Sequence, residues 1–223
     1  MLYEIFDHMH LCTDEAVREM LPLVSEQRRQ QALRYSHTFG RFCCLKSYLM
    51  LLELLSAVYP ELDTSKPEFG YTAQGKPFLL ARPDIHFSIS HTKNAILVAI
   101  SDAPIGVDIE AFRSPSAALI ARTMNATEQA AIATAAASLE PSGTSGTREA
   151  QMEQPHASGT PSGLFSAIWT RKEAVLKLRG TGIEGDLKHV LSGSEAIFTR
   201  IFPRKSYAFS IAQQTISPFE ILH

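Results

Sequence analysis

The sequence has little of several features that define common classes of protein. Its three cysteines among 223 residues form neither a metal-ligand spacing nor an even disulfide framework. Its formal net charge is only -2, which gives no overall attraction to nucleic acid or to a membrane surface. No apolar run approaches the roughly 20 residues that a membrane-spanning helix needs. We therefore expect neither nucleic acid nor a membrane as a partner.

The first residues also lack the pattern of a targeting segment. Residues 1–10 carry acidic side chains and no long apolar run, so the sequence predicts no signal peptide and a cytoplasmic protein. Apolar residues make up 45% of the chain and charged residues 20%, as in an ordinary globular protein. A chain of this length forms one large domain or two small ones.

Hydrophobic periodicity predicts both helices and strands. A break at 125–128 divides one helical pattern, and Asn125 or Thr127 is expected to cap the new helix. A loop is predicted around Gly70 and a turn at 75–77. The predicted helices are 25–35, 38–58, 116–137 and 165–180, and the predicted strands are 2–6, 85–91, 95–100, 105–110, 196–202 and 207–213.

Residues 138–163 differ in composition from the rest of the chain. They are rich in Ser, Gly, Thr, Pro, Gln and Glu and contain almost no large apolar residue. Such a segment cannot bury enough apolar surface to offset the entropy lost on ordering. The composition therefore predicts a disordered surface insertion between two helices.

The predicted helix at 165–180 has charge inside its apolar stripe. Apolar side chains recur at helical spacing, and Lys172 falls in the middle of the face that they form. Glu173 and Lys177 are four residues apart and are therefore neighbours on the helix surface. The ordinary interpretation of that pair is a surface ion pair worth roughly 0.2–0.5 kcal/mol. The functional interpretation depends on which other groups converge on this helix.

The predicted strand at 105–110 places two carboxylates on one face. Its apolar residues alternate with Gly106, Asp108 and Glu110, and a rise of about 3.3 Å per residue separates the Cα atoms of the two acids by about 6.5 Å. Like charges at that distance repel. Two interpretations are open: an exposed strand face, or a site where a hard divalent cation binds carboxylate oxygens. Gly106 leaves room for a group to approach, and Glu173 is a candidate third ligand.

Two further titratable residues have ordinary explanations when taken alone. His91 falls at the end of the strand at 85–91, where a histidine is usually a surface or structural residue. Glu128 falls in the first turn of a predicted helix, where an acid favours the positive end of the helix dipole. Neither position by itself indicates a function.

Three ordered motifs point to a known family. Residues 87–91 (FSISH), 105–110 (IGVDIE) and 169–177 (WTRKEAVLK), preceded by Gly-Lys-Pro at 75–77, resemble the 4′-phosphopantetheinyl transferase superfamily, in particular its surfactin-synthetase-type branch. The resemblance spans about residues 26–182. It implies an α+β chain of two similar halves, 1–105 and 106–223, that form a pseudo-dimer within one monomer. It also implies that the active site lies between the halves.

The resemblance implies an enzyme that transfers the 4′-phosphopantetheine arm of coenzyme A to a serine of an apo acyl or peptidyl carrier protein, releasing 3′,5′-ADP. It places Mg²⁺ on Asp108, Glu110 and Glu173. It makes Lys177 a catalytic lysine near the pyrophosphate and a contact to coenzyme A, and His91 both a catalytic residue and a phosphate contact. For the general base, Glu173 is the first choice and Glu128 the second.

The resemblance also implies how coenzyme A is held. Arg41, Lys76 and Ser90 match residues that hold its nucleotide part. The chain departs from the family at Gln27 and Gln30, where relatives often carry lysines. Whether Arg28 or Arg29 takes the place of these lysines in recognising the 3′-phosphate is left open by the sequence.

Two other classes of function compete with this one. A non-catalytic module that binds coenzyme A or a carrier protein is one alternative, but it has little reason to keep adjacent like charges without a metal. A Mg²⁺-dependent phosphodiesterase that uses His91, Asp108 and Glu110 is the other. Hydrolysis of coenzyme A without a carrier would favour the phosphodiesterase.

Overall fold

The computed structural model describes residues 1–65, 67–138, 160–182 and 186–214. Within these ranges the chain combines helices with antiparallel sheets, which confirms the α+β class. None of the helices in these ranges has the length and apolar character that crossing a bilayer requires. Most of the predicted insertion, residues 139–159, lies outside the described residues.

The first half packs a long helix on a three-stranded sheet. The sheet has the antiparallel order β1-β5-β4, and a separate hairpin pairs β2 with β3. Buried leucines of helix α3, among them Leu45 and Leu55, share one core with Phe87 and Ile100 of the sheet. The elements are β1 Leu2–Phe6, α1 Asp14–Met20, α2 Glu26–Leu33, α3 Thr38–Val58, β2 Phe69–Tyr71, β3 Pro77–Leu79, β4 His86–Thr92 and β5 Ala95–Ser101.

The second half has a similar layering. Its sheet has the antiparallel order β6-β8-β7, and helix α6 packs against β6 and β8. Two shorter helices, α4 and α5, lie between β6 and α6 in the chain. The elements are β6 Ile105–Ala111, α4 Ala117–Thr123, α5 Ala126–Ala137, α6 Pro161–Arg179, β7 Ala196–Phe202 and β8 Tyr207–Gln213.

Gly106 allows helix α6 to approach strand β6 very closely. A Cβ at this position would lie 2.1 Å from the backbone oxygen of Ala174 and 2.3 Å from the backbone nitrogen of Leu178. Any larger residue would therefore push the helix away from the strand. The structure corrects the interpretation that Gly106 leaves room for a ligand, because the helix backbone already takes that space.

Hydroxyl groups join the two sheets where β4 runs beside β6. The backbone N–H groups of Val107, Ile109 and Ala111 donate to side-chain oxygens at 3.0, 3.3 and 3.2 Å. Those oxygens belong to every second residue of β4, because side chains that alternate along a strand share one face. This arrangement places the end of β4 beside the carboxylates of β6. The accepting side chains are Ser88, Ser90 and Thr92, in the same order.

Several element boundaries agree with the sequence predictions, and three features differ. Helix α1 was not predicted, although Thr13 caps it and two acids occupy its first turn. Strands β2 and β3 replace the predicted loop and turn, because Phe78 packs over Gly70 and pairing stabilises two short segments. Helix α6 begins at Pro161, inside the predicted insertion, since Thr160 caps it and Pro at the first helical position favours a start there.

Candidate active site

Helix α6 presents two lysines in different environments, and the first of them, Lys172, is completely buried. Its ammonium group donates to the backbone oxygens of Thr123 at 2.9 Å and Leu187 at 2.8 Å and to Glu128 Oε2 at 2.7 Å. An ammonium has three donors, so every one of them is used. The apolar stripe of α6 faces a core, as predicted. Through its hydrogen bonds, Lys172 connects that face to the segments that contain Thr123, Glu128 and Leu187.

Glu128, the partner of Lys172, also caps helix α5. Its Oε2 accepts the backbone N–H of Asn125 at 2.8 Å, while Asn125 Oδ1 accepts the N–H of Glu128 at 2.9 Å. This reciprocal pair is a capping box. The Glu128 carboxylate is thus engaged in contacts that hold α5 against α6, and its role as second-choice base stays a prediction.

Asp108 lies at the centre of the second charged group. It is only 4% exposed, and its Oδ1 accepts from Lys177 Nζ at 2.7 Å and from Ser90 Oγ at 2.8 Å. Its Oδ2 is buried and has no hydrogen-bond partner among the described residues, and the same holds for Glu173 Oε1. A buried acceptor without a partner costs about 1–3 kcal/mol of stability. The two oxygens therefore indicate a binding site rather than a finished structural contact.

The carboxylates of Asp108, Glu110 and Glu173, called the acidic cluster below, interact electrostatically. Burial, and then the charge of Asp108, raise the pKa of Glu110. Burial and the same charge raise the pKa of Glu173, with a smaller contribution from Glu110. Lys177 opposes both shifts. The repulsion expected from the sequence is therefore present, and it involves all three acids.

The donor chemistry of the acidic cluster fits a hard divalent cation. Mg²⁺ prefers carboxylate oxygens, and the unpartnered oxygens of Asp108 and Glu173 are donors of that kind. Within the described ranges, no group of three or more His, Cys, Asp or Glu side chains is already arranged around a metal position. The ammonium of Lys177 provides the positive charge that contacts Asp108 in this structure.

His91 lies at the solvent-facing end of β4. Its ring centroid is 6.0 Å from that of Phe39. Partial enclosure of the ring and the charge of Lys177 lower the pKa of His91, while the charge of Asp108 opposes the shift. The imidazole is therefore neutral at pH 7 and keeps one nitrogen as donor and one as acceptor.

A cavity of about 360 Å³, called the central cavity below, adjoins the acidic cluster. It lies between helix α6, strand β4 and the turn of the β2–β3 hairpin. Its walls combine apolar and charged side chains, a mixture typical of small-molecule sites. Its lining includes Lys76, Phe87, Ile89, Glu173, Leu176 and Lys177.

The residues predicted to hold the nucleotide make protein contacts in this structure. Lys76 Nζ donates to three backbone oxygens beside the central cavity, and burial lowers the pKa of Lys76. The hydroxyl of Ser90 donates to Asp108. Arg41 Nε donates to the backbone oxygen of Tyr35 at 2.9 Å. Their contacts to coenzyme A stay predictions.

The two arginines that could replace the missing lysines differ in their surroundings. Arg29 forms an ion pair with Glu26 at 2.7 Å, and Gln30 donates to the same carboxylate. Arg28 instead places its guanidinium carbon 4.4 Å from the ring centroid of Tyr48. An anion would have to compete with Glu26 for Arg29, whereas Arg28 is held in place by an aromatic face.

Sequence reasoning missed Arg113, which lies beside the acidic cluster. Its guanidinium carbon is 5.6 Å from the ring centroids of both Phe165 and Trp169. Its charge lowers the pKa of Glu110 and of Glu173. The sequence did contain a signal for Arg113, namely a basic residue shortly after the two carboxylates of the strand. Its place beside the acidic cluster follows only once the position of α6 is known.

Comparison with known proteins supports the family that the motifs indicated. The family model described as the 4′-phosphopantetheinyl transferase superfamily matches residues 104–210, which include the whole acidic cluster and Lys177. Two proteins of Bacillus subtilis, a 4′-phosphopantetheinyl transferase and the 4′-phosphopantetheinyl transferase Sfp of strain 168, are each 26% identical over 182 residues. Each alignment covers 82% of this chain and 71% of the relative. The predicted resemblance to the 4′-phosphopantetheinyl transferase superfamily is confirmed.

Relatives within the 4′-phosphopantetheinyl transferase superfamily differ in how much of the chain they match. The 4′-phosphopantetheinyl transferase AcpT of Salmonella typhimurium is 32% identical over 115 residues, which is 51% of this chain and 50% of that protein. The Bacillus relatives match a longer part at lower identity. Their similarity supports the surfactin-synthetase-type branch that the motifs indicated.

Proposed function

We propose that this protein transfers the 4′-phosphopantetheine arm of coenzyme A to a serine hydroxyl of an apo acyl or peptidyl carrier protein and releases 3′,5′-ADP. The observation that carries the proposal is the pair of buried, unpartnered oxygens of Asp108 and Glu173 beside Lys177. Glu173 and Lys177 line a cavity suited to a small-molecule ligand. The curated relatives are named as enzymes of this activity.

Asp108, Glu110 and Glu173 are the residues that would hold Mg²⁺. When bound, the ion supplies positive charge that neutralises the pyrophosphate and the charge developing on the phosphoryl oxygens. Because Lys177 already contacts Asp108 Oδ1, the two unpartnered oxygens are the first ligands that we expect to engage. The electrostatic repulsion within the acidic cluster favours the binding of a cation there.

Lys177 and His91 stabilise the phosphates from the protein side. The side chain of Lys177 is 33% exposed and lines the central cavity, so a phosphate entering the cavity meets a cation that Asp108 holds in place. His91 provides a neutral donor from the end of β4. Donors that are fixed before the reaction stabilise the charge that develops on the leaving phosphate.

Glu173 is the proposed general base. It lines the central cavity, whereas Glu128 is bound to Lys172 and to a helix cap. The carboxylate of Glu173 accepts the proton of the carrier serine, the serine oxygen forms a bond to the phosphorus nearest the pantetheine arm, and the bond to the leaving phosphate breaks. Lys177 then stabilises the departing 3′,5′-ADP.

The two halves supply different parts of this site, and we propose a pseudo-dimer with its boundary between residues 105 and 106. Each half packs one long helix, α3 or α6, on a three-stranded antiparallel sheet. The first half contributes His91, Ser90 and Lys76, and the second contributes the acidic cluster and Lys177. A monomeric state and a cytoplasmic location stay predictions.

Coenzyme A is proposed to lie along the central cavity with its nucleotide part toward the first half. Ser90 and Arg41 are the contacts that we propose there, whereas the ammonium of Lys76, the third residue that the resemblance implied, binds three backbone oxygens. For the 3′-phosphate we favour Arg28 over Arg29, because Arg29 is already paired with Glu26. An arginine supported by an aromatic ring can still present its N–H groups to a phosphate.

The decisive experiment incubates the protein with coenzyme A, Mg²⁺ and a panel of apo acyl and peptidyl carrier proteins. We expect the intact mass of at least one carrier to rise by the mass of the phosphopantetheine arm. Glu173→Gln serves as the inactive control. An unmodified panel would contradict the proposal, and release of 3′,5′-ADP without any carrier would favour the phosphodiesterase instead.

A further inference from the structure

Lys76 connects the two halves at the edge of the central cavity. It lies in the turn of the β2–β3 hairpin, in the first half. Its Nζ donates to the backbone oxygens of Lys177 at 2.8 Å, Ile105 at 3.2 Å and Leu178 at 3.3 Å. Two of these acceptors belong to the last turn of α6 and one to the start of β6. The three bonds account for all the donors of the ammonium group.

The acceptors in α6 are groups that a helix cannot satisfy by itself. The last four carbonyls of an α-helix have no partner within the helix. In α6 the backbone N–H of Gly180 donates to the oxygen of Leu176 at 2.9 Å, and Gly180 has the left-handed conformation, φ 70°, that ends many helices. Lys76 binds the next two carbonyls. Its positive charge also lies at the negative end of the helix dipole.

The aliphatic stem of Lys76 lies beside Gly180, the residue that ends helix α6. Its Cδ would lie 3.6 Å from a Cβ placed on Gly180. Burial lowers the pKa of Lys76, and the three backbone oxygens replace water as acceptors for its ammonium group. The β2–β3 hairpin that carries it has only two short strands, and such a hairpin is marginally stable without support. The contact therefore fixes both the hairpin and the end of α6.

We propose that Lys76 is a positioning residue for the last turn of α6, rather than a group that contacts coenzyme A. Lys177, whose backbone oxygen Lys76 binds, carries the ammonium that contacts Asp108. By fixing that turn, Lys76 sets where the Lys177 ammonium lies relative to the acidic cluster. The catalytic consequence rests on the proposed transferase function; the structural connection does not.

Three possible roles of Lys76 predict different effects of removing the ammonium group. A displaced Lys177 reduces stabilisation of the leaving phosphate, so a positioning role lowers kcat, by about tenfold or more, and leaves the KM for coenzyme A within about twofold. A ligand contact would instead weaken the binding of coenzyme A. A purely structural role would lower Tm and leave kcat unchanged below that temperature.

The test compares Lys76→Met with Lys93→Met, which removes an exposed lysine from the turn between β4 and β5. Hydrogen exchange without coenzyme A is measured first. We expect faster exchange at 176–182 and in the β2–β3 hairpin for Lys76→Met only. Single-turnover transfer and calorimetric binding of coenzyme A then separate kcat from affinity. Lys76→Arg keeps the charge and the donors and is expected to restore part of the protection and of kcat.

Each outcome decides the proposal. Unchanged exchange with weaker binding of coenzyme A would overturn it, and so would a lower Tm with unchanged kcat. If Lys76→Met does not fold, the same measurements are made on Lys76→Gln, which removes the charge but stays polar. If the parent protein transfers nothing, the proposed function fails, but the exchange experiment still decides whether Lys76 holds the end of α6.

Discussion

Two ion pairs on helix α6 have the same length and opposite surroundings. Lys172–Glu128 and Lys177–Asp108 both measure 2.7 Å. The side chain of Lys172 is completely buried and each of its donors has a protein acceptor. The side chain of Lys177 is 33% exposed, it lines the central cavity, and Asp108 keeps one buried oxygen without a partner.

The difference shows that the distance in an ion pair does not reveal its role. A buried pair is stable only when further hydrogen bonds satisfy its remaining donors and acceptors, and this condition is met at Lys172. The pair at Asp108 is incomplete, so a ligand can satisfy what the protein leaves open. Completeness of hydrogen bonding therefore separates the structural pair from the pair that we propose to be functional.

The largest effect is expected from breaking the complete pair. Lys172→Met leaves the Glu128 carboxylate and two backbone oxygens without their partner, which should cost about 3–5 kcal/mol of the free energy of unfolding. Lys177→Met, the matched variant on the same helix, should cost less, about 1–3 kcal/mol, because Asp108 loses the ammonium but keeps the hydroxyl of Ser90 as a donor. Urea denaturation of both variants measures the difference. Equal losses would contradict the distinction between the two pairs.

The next effect concerns the unpartnered oxygens. Glu173→Gln removes one Mg²⁺ donor and the proposed base, so transfer should fall by about 10²-fold or more while the fold persists. Because the change also relieves repulsion with Asp108, Tm without Mg²⁺ should stay equal or rise. Asp186→Asn alters an exposed acid and serves as the control. Normal transfer by Glu173→Gln would remove Glu173 from the mechanism both as general base and as a Mg²⁺ ligand.

Lys177→Met sharpens the comparison from the catalytic side. Loss of a positioned cation should reduce the single-turnover rate to a saturating apo carrier by about 10²-fold, with the binding of coenzyme A changed less. The same variant is expected to lose less stability than Lys172→Met and to stay folded. A rate within about threefold of the parent, against the roughly 10²-fold expected, would remove Lys177 from the mechanism.

A smaller effect is expected from pH. The pKa values of Glu110 and Glu173 are raised in the folded protein above their ordinary value of 4.5. A raised pKa means that the folded state binds these protons more tightly than the unfolded state. The resulting stability is therefore present below pH 4.5 and is lost as pH rises through the folded values. Tm measured against pH should show this loss. Mg²⁺ should reduce this loss of stability, and the Glu173→Gln variant should lose less stability over the same pH range.

The smallest effect is expected from the predicted insertion. Replacing residues 139–159 by a short Gly-Ser linker should leave Tm and turnover unchanged, because the Lys172–Glu128 pair already holds α5 against α6. Differential scanning calorimetry and the transfer assay measure both quantities. A clear loss of either would mean that the segment folds onto the protein or contacts the carrier.

Local pattern alone predicted much of the fold. The bounds of α3, β1, β7 and β8 agree with those expected from periodicity, because amphipathic spacing and turn residues are local properties. The motifs also led to the acidic cluster and Lys177 before any contact was known. Helix α1 and the β2–β3 hairpin were missed, since a short helix and two short strands depend on contacts with the rest of the chain.

The chain by itself determined which residue types stand in which order: two acids on one strand face, and a helix with lysines inside and beside its apolar stripe. Tertiary structure decided what each of them does. Glu128 and Lys172 meet only because α4 and α5 pack against α6, and Lys76 reaches the end of α6 across the two halves. Burial and the number of available partners arise only when distant segments pack together. Those two properties decide whether a charge stabilises the fold or is left for a ligand.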